Sequence, residues 1–383
     1  MKKLISLALA LMLVFSLATV AMAATSDYSE HINTPKNLKK TYNVIDGTAP
    51  AEVFTFTFTP YSYKNGDGEL WTYDAATQTY NYAGTTNPAP ALPAGFSIPT
   101  LGDKTISFDS LTSDSEGTAA ISVDPTSSAW KLGVYTYLVK ETKGTTAGTV
   151  YDTNPLYLVV TIIRDETAAT ETNKYVVAMH YETPDNATKT EGFTNTYNAG
   201  TLAITKNITG NSADMTKTFT FTVELSAPEN TFFKAGQVVA ASGAPANTTR
   251  NETKDNNNNV TKVTFTAKLG NNATLTIENV PVGTTYTVKE DAENYTAKVQ
   301  EPGATSASNY TSNTALNGSI ATVTSADGKV TGAEDDAYVF TNDLTNTVDT
   351  GITLDSLPFV LILAVCAGAV VLFVIKRRRS VDF

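Results

Sequence analysis

Two stretches of this chain carry the same landmarks in the same order, and that duplication limits what the chain can become. The first runs Leu38-Lys39-Lys40-Thr41-Tyr42, then Phe54-Thr55-Phe56-Thr57. It continues with Tyr135-Thr136-Tyr137-Leu138-Val139-Lys140-Glu141 and closes on Phe193-Thr194-Asn195. The second runs Leu202-Ala203-Ile204-Thr205-Lys206, then Phe219-Thr220-Phe221-Thr222. It continues with Thr284-Thr285-Tyr286-Thr287-Val288-Lys289-Glu290 and closes on Phe340-Thr341-Asn342. A duplicated Val-Lys-Glu and a duplicated Phe-Thr-Asn in register predict two tandem homologous domains, 24–198 and 199–345, with the boundary near Tyr197–Gly200. The link is short, so the two should stand end to end with little freedom.

Between the ends, helical periodicity is almost absent. Alternating runs of Thr, aromatic and β-branched residues take its place, as in Val53–Phe58, Tyr157–Ile163, Lys174–His180, Phe219–Leu225, Val260–Leu269 and Ala273–Glu278. Such runs read as strands. Asn65-Gly66-Asp67-Gly68 and Asp255–Asn259 mark turns between them. The expected fold class is all-β: two tandem immunoglobulin-like β-sandwich domains.

The ends carry a different pattern. Lys2-Lys3, an apolar run from Leu4 to Val20 and the small residues of Ala21-Met22-Ala23 have the three parts of a secretory signal peptide, expected over 1–23. At the other end Leu357–Ile375 is apolar and long enough to cross a bilayer, and Lys376-Arg377-Arg378-Arg379 follows at once. A transmembrane helix over 357–375 and a basic tail over 376–379 are expected within a terminal segment 346–383. The single cysteine, Cys366, lies in that apolar stretch, so the exported part cannot form a disulfide. The chain holds 27 basic and 38 acidic residues. Setting aside two basic residues in 1–23, and four basic and two acidic in 351–383, leaves 21 basic against 36 acidic, a net charge of −15. A surface of that sign repels nucleic acid and makes it an unfit partner; solubility accounts for the charge.

Strand alternation brings three polar residues of each repeat onto inward faces. Lys206 is in phase with Leu202, Ile204 and Ile208, and Lys40 with Leu38, Tyr42 and Val44. Glu290 alternates with Tyr286 and Val288, and Glu141 with Tyr135, Tyr137 and Val139. Asn342 is in phase with Phe340 and Tyr338, and Asn195 with Phe193 and Tyr197. Buried unpaired, such groups would be costly. Together they can form an amide: burial pushes the lysine toward its neutral, nucleophilic form, and a carboxyl group held among aromatics can stay protonated and move protons to the departing ammonia. A buried Lys–Glu pair with a capping asparagine is the plainer alternative. Two such triads in register, in a cysteine-free exported chain, favour the covalent bond.

These residues also carry a family resemblance. From about Lys36 to Asn342 the chain resembles the streptococcal pilin isopeptide-linkage domain family, as found in T-antigen-type (FctA-like) backbone pilins. The first-strand lysine followed by Phe-Thr-Phe, the Tyr-x-Val/Leu-x-Glu strand and the closing Phe-Thr-Asn carry the likeness. The resemblance implies a Lys40–Asn195 bond assisted by the catalytic Glu141, and a Lys206–Asn342 bond assisted by the catalytic Glu290. Lys39 and Lys36 remain alternatives to Lys40.

Thr347-Val348-Asp349-Thr350-Gly351 stands where a sortase sorting pentapeptide would precede the apolar helix. It resembles the Val-Pro-Thr-Gly variant of FctA-like pilins, with Asp349 in place of proline, and implies cleavage between Thr350 and Gly351. The implied partners are a sortase, other pilin subunits in a covalent homopolymer, peptidoglycan and a host surface ligand. The implied location is a Gram-positive cell wall or surface pilus. A subunit-linking lysine is expected at Lys189, just before the last strand of the first repeat, or at Lys36, where Thr34-Pro35-Lys36-Asn37 echoes a Tyr-Pro-Lys context. A wall-anchored monomeric adhesin, or a tip or basal pilin, is the alternative. Only His31 and His180 are present, so neither a histidine triad nor a zinc site is expected. No other metal or cofactor is called for, and the only chemistry expected is self-directed.

Overall fold

In the computed structural model, residues 35–92, 95–164, 166, 174–185, 187–346 and 361–371 are described. The expected signal peptide, the pentapeptide with Thr350 and Gly351, and the basic tail lie outside them. Of the expected membrane span, residues 361–371 form a helix. Among the described residues no helix is long and apolar enough to cross a membrane.

Among the described residues of 35–346 the regular elements are strands, joined by turns and irregular segments. The Thr/aromatic alternation becomes an alternation of burial: in Lys36–Val44, Leu38, Lys40 and Tyr42 point inward and their neighbours outward. In the first half, a four-stranded sheet has the order Ser115–Ile121, Lys36–Val44, Gly192–Tyr197, Thr149–Val150. A larger antiparallel sheet runs Lys189–Thr190, Tyr175–Glu182, Leu156–Arg164, Gly133–Glu141, Glu52–Asn65, Leu70–Asp74, Thr79–Tyr82, with Lys104–Phe108 paired to Glu52–Phe56. Phe54, Phe56, Tyr135, Tyr137, Leu158 and Phe193 lie in one buried cluster.

The second half repeats the plan. One sheet runs Val239–Ala240, Ala273–Pro281, Ala199–Thr209, Asp336–Asp343, Thr296–Gln300, Ser308–Tyr310. The other runs Thr249–Lys254, Val260–Leu269, Phe219–Ser226, Thr285–Asp291, Leu316–Ser319. Phe219, Phe221, Val263, Phe265, Leu275 and Phe340 belong to a second buried cluster.

The first and last strands of each half are adjacent and parallel. Lys36–Val44 pairs with Gly192–Tyr197, placing Lys40 opposite Phe193 and Tyr42 opposite Asn195. Ala199–Thr209 pairs with Asp336–Asp343, placing Lys206 opposite Phe340 and Ile208 opposite Asn342. The two lysines thus occupy the same register against their Phe-Thr-Asn strands. At Gly192 the strands approach so closely that a Cβ would lie 1.8 Å from the Lys39 carbonyl oxygen.

Asn198 alone separates the closing strand of the first half from the opening strand of the second. Around it the halves share a polar junction. Asn279, at φ 57°, donates from Nδ2 to the carbonyls of Thr48 and Gln237 and accepts at Oδ1 from the Thr48 amide and the Tyr197 hydroxyl. The buried Gln237 donates to the Ala147 carbonyl at 2.9 Å and to the Tyr197 hydroxyl at 3.0 Å. Phe232 exchanges backbone bonds with Thr145 and Ala147. Gly47 and Gly148 adopt positive φ against Ala199 and Tyr197, where a side chain would collide. Gln237→Ala should remove the buried donor to the Ala147 carbonyl and leave the Tyr197 hydroxyl only its bond to Asn279, lowering stability by about 1–3 kcal/mol. A urea midpoint equal to that of the unaltered chain would contradict this role.

Candidate functional site

The parallel pairing decides which side chains can meet. Neighbouring strands lie roughly 4.8 Å apart and each residue advances about 3.3 Å. Lysine and asparagine, on adjacent strands and offset by two residues on one face, are therefore within reach of a lysine side chain. The carboxylate comes from the facing sheet: Glu141 pairs with Phe56 and Glu290 with Phe221. Each triad thus spans both layers of its half.

In the first half Lys40 Nζ donates to Glu141 Oε2 at 2.6 Å, and both side chains are fully buried. Asn195 Nδ2 donates to Glu141 Oε1. The ring of Phe54 lies 4.6 Å from the lysine nitrogen, and Phe56 packs on Phe193 at 5.3 Å between centroids. The second half matches it. Lys206 Nζ lies 2.7 Å from Glu290 Oε1, again fully buried, and Asn342 Nδ2 donates to the same oxygen at 2.9 Å. Phe219 lies 4.6 Å from this nitrogen, with Phe221 against Phe340 at 5.1 Å.

The alternatives at the first position separate cleanly. Lys39 faces outward, pairs with Glu116 at 2.7 Å and lies 3.8 Å from Glu191, and Lys36 lies at the start of the strand. Lys40 is the buried one.

Burial is the largest influence on all four charged groups. It lowers Lys40 against the opposing pull of Glu141 and lowers Lys206 to about 8. It raises Glu141 and Glu290 against the pull of their lysines. Both partners move toward neutrality, so desolvation outweighs the ion-pair attraction. The Lys206 amine, Glu290 Oε2 and Asn342 Oδ1 are buried without a directed hydrogen-bond partner among the described residues. A neutral amine beside a protonated carboxyl and a primary amide is the set required for transamidation.

Other expected residues fall elsewhere. Lys36 and Lys189 line one cleft of the first half, with His180 and Glu191. His180 lies 3.1 Å from Glu182. Among the described residues no cluster of His, Cys, Asp or Glu is arranged to hold a metal. Sequence reasoning missed Asp152, whose backbone N–H donates to Asn195 Oδ1 at 2.7 Å. It also missed Tyr310, whose hydroxyl accepts from the Glu290 backbone N–H at 2.9 Å. Neither contact has a motif; both come from segments outside the repeated landmarks.

A family described as "Domain of unknown function (DUF7601)" matches residues 200–344. The chain is 28% identical over 257 residues to a protein named Pilin from Streptococcus pyogenes serotype M1, covering 65% of this chain and 68% of that protein. The chain is thus similar in sequence to a streptococcal pilin. Among solved structures, the major pilin protein (T3.2) from Streptococcus pyogenes is 22% identical, with 82% of this chain and 98% of that one covered at a TM-score of 0.43. Another major pilin from Streptococcus pyogenes is 20% identical, with 82% and 100% covered at a TM-score of 0.42.

The neutral amine and protonated carboxyl together hold the same number of protons as the ion pair, so their share does not change between the two titrations of the pair. At lower pH a further proton keeps the amine charged. Above about 8 for Lys206, the last proton leaves and the acid is lost. A chain recovered unfolded and refolded at set pH should therefore join Lys206 to Asn342 with a bell-shaped rate profile whose alkaline limb lies near pH 8. Counting the branched peptide by mass measures it. A rate that climbs steadily to the ordinary lysine range near 10.5 would contradict the assignment.

Proposed function

We propose that this chain is a pilin, the structural (backbone) subunit of a surface pilus, and that each of its halves carries an intramolecular Lys–Asn isopeptide bond. The observation that carries the reading is the duplicated triad: amine, carboxyl and amide in contact, fully buried, at the same register of two parallel strand pairs. The division at 198/199 into two immunoglobulin-like sandwiches belongs to the same reading.

The chemistry follows from the contacts. Nζ of Lys40 adds to Cγ of Asn195 and the carbonyl electron pair moves to Oδ1. Glu141 takes a proton from Nζ and delivers one to Nδ2. Collapse restores the carbonyl and expels Nδ2 as ammonia, so one C–N bond forms and one breaks. Lys206, Asn342 and Glu290 do the same. Proximity fixed by the strand register supplies most of the acceleration, and no external substrate is consumed. Each bond would close a loop of more than a hundred residues, for which chain entropy gives on the order of 5 kcal/mol.

On this reading a sortase cleaves between Thr350 and Gly351 and passes Thr350 to a lysine of the next subunit, or finally to peptidoglycan. Lys189 and Lys36, lining one cleft, are the acceptor candidates.

The intact mass of the exported segment should fall short of the sequence mass by two ammonias. Glu141→Ala or Glu290→Ala should each restore one. An unshifted mass in the unaltered segment would sink the bonds. Cell-wall extracts should show a ladder of high-mass species that survives boiling in detergent, abolished by Lys189→Arg or Lys36→Arg, whichever removes the acceptor. Monomer alone would instead favour a wall-anchored binding protein.

A further inference from the structure

We propose that the two bond-forming sites are chemically unequal: the backbone N–H of Asp152 is an oxyanion donor for the Lys40–Asn195 reaction, and the second half works without a counterpart. This inference rests on the isopeptide reading of the triads.

When an amine adds to an amide, the carbonyl oxygen takes up negative charge. A donor already aimed at that oxygen stabilises the addition without reorganising. Asn195 Oδ1 has such a donor, the Asp152 N–H at 2.7 Å, in the range such donors occupy. Asn195 is fully buried, so the bond acts at low dielectric, where it counts for more.

The Asp152 side chain fixes this amide in place. Its Oδ1 accepts the Asn154 backbone N–H at 3.0 Å and Asn154 Nδ2 at 3.1 Å. Its Oδ2 accepts the Thr194 N–H at 3.2 Å, one residue from the reacting asparagine. The carboxylate thus ties the turn to the strand that carries Asn195. Tyr151, half of the same turn, is held by the core through its edge-on contact with Phe54. The charge of Asp152 raises Lys40, which disfavours the nucleophilic amine. The useful part is therefore the amide, and the carboxylate is its positioning group.

The second half differs for a topological reason. In the first half, the closing strand is flanked by the short strand Thr149–Val150, which pairs only with Tyr197 and Thr196. The chain then leaves the ladder, and the Asp152 amide donates to the Asn195 side chain. In the second half the flanking strand Thr296–Gln300 runs straight past, pairing Ala297 with Asn342 and Val299 with Phe340. Its amides belong to the strand ladder. Asn342 Oδ1 is left buried with no donor among the described residues.

The test follows both bonds in one refolding chain. The full chain, recovered unfolded, is refolded at neutral pH, quenched in acid at intervals and digested. The two branched peptides, Lys40–Asn195 and Lys206–Asn342, are then counted by mass. The first should form faster than the second. Asp152→Ala should slow the first by roughly tenfold or more and leave the second unchanged, which serves as the internal reference. Asp152→Asn keeps a side-chain acceptor for the turn and should restore most of the rate; an Asn variant as slow as the Ala variant would overturn the positioning role. Near-UV circular dichroism of the Ala variant confirms that the first half has folded. A first-bond rate indifferent to Asp152→Ala, or both bonds slowed alike, overturns the proposal while leaving the triads standing. Absence of both branched peptides from the unaltered chain overturns the triad reading, and this inference with it.

Discussion

The parallel pairing of first and last strands is the constraint on which the rest of each half depends. It places a lysine and an asparagine on one inward face, offset by two residues, and opposes them with a glutamate from the other sheet. As an ion pair this arrangement is poor. Two charges are taken wholly out of water, and burial outweighs their attraction, since both partners shift toward neutrality. Replacing such pairs by apolar groups is often neutral or stabilising. An amide product would remove that conflict: the lysine charge disappears and the carboxyl can remain protonated, so no buried charge is left to desolvate. A site that is costly as a reactant and comfortable as a product has its driving force built into the core.

Strand direction matters as much as side-chain chemistry. With Lys36 as the acceptor of the next subunit, tension would enter the first half at the start of Lys36–Val44 and leave at the end of Gly192–Tyr197. Because these strands are parallel neighbours, it pulls them in opposite directions and loads their ladder in shear. A bond from Lys40 to Asn195 would carry that load directly. The residues between, including the whole larger sheet, would lie outside the path. The same holds from Lys206 to Asn342. Cross-links elsewhere in the sandwich could stabilise the fold equally well but would leave the load on hydrogen bonds.

Much of this was legible in the sequence because it depends on period two. Alternation alone places Lys40, Lys206, Glu290 and Asn342 inward, and the structure buries each of them. Alternation also separates Lys39 from Lys40, although the adjacent lysines leave the choice open until the strand's phase is fixed by Leu38 and Tyr42. What it cannot supply is strand direction. Nothing in Phe-Thr-Asn says whether the closing strand runs with or against the first, since that depends on where an intervening chain of more than a hundred residues returns. The Asp152 contact is hidden for a related reason. It arises where a short edge strand ends, and strand ends leave little periodic signal. Gln237, Asn279 and Tyr197 likewise come together only through the docking of one half on the other.

That docking has a distinct mechanical task. With both bonds in place, the covalent path between the halves is the continuous segment from Asn195 through Asn198 to Lys206. The junction network around Asn279 and Gln237 therefore need not resist tension, which the backbone already carries. It resists bending and twisting. Hydrogen bonds suit that task better than an apolar seam, because they are directional: Asn279 grips Thr48 with both donor and acceptor, and Tyr197 takes one bond from Gln237 and gives one to Asn279. The positive φ of Gly47 and Gly148 serves the same end by letting backbone approach where a side chain would hold the halves apart. With the proposed bonds formed, covalent links along the chain would take tension and the oriented hydrogen bonds across the joint would take bending and twisting.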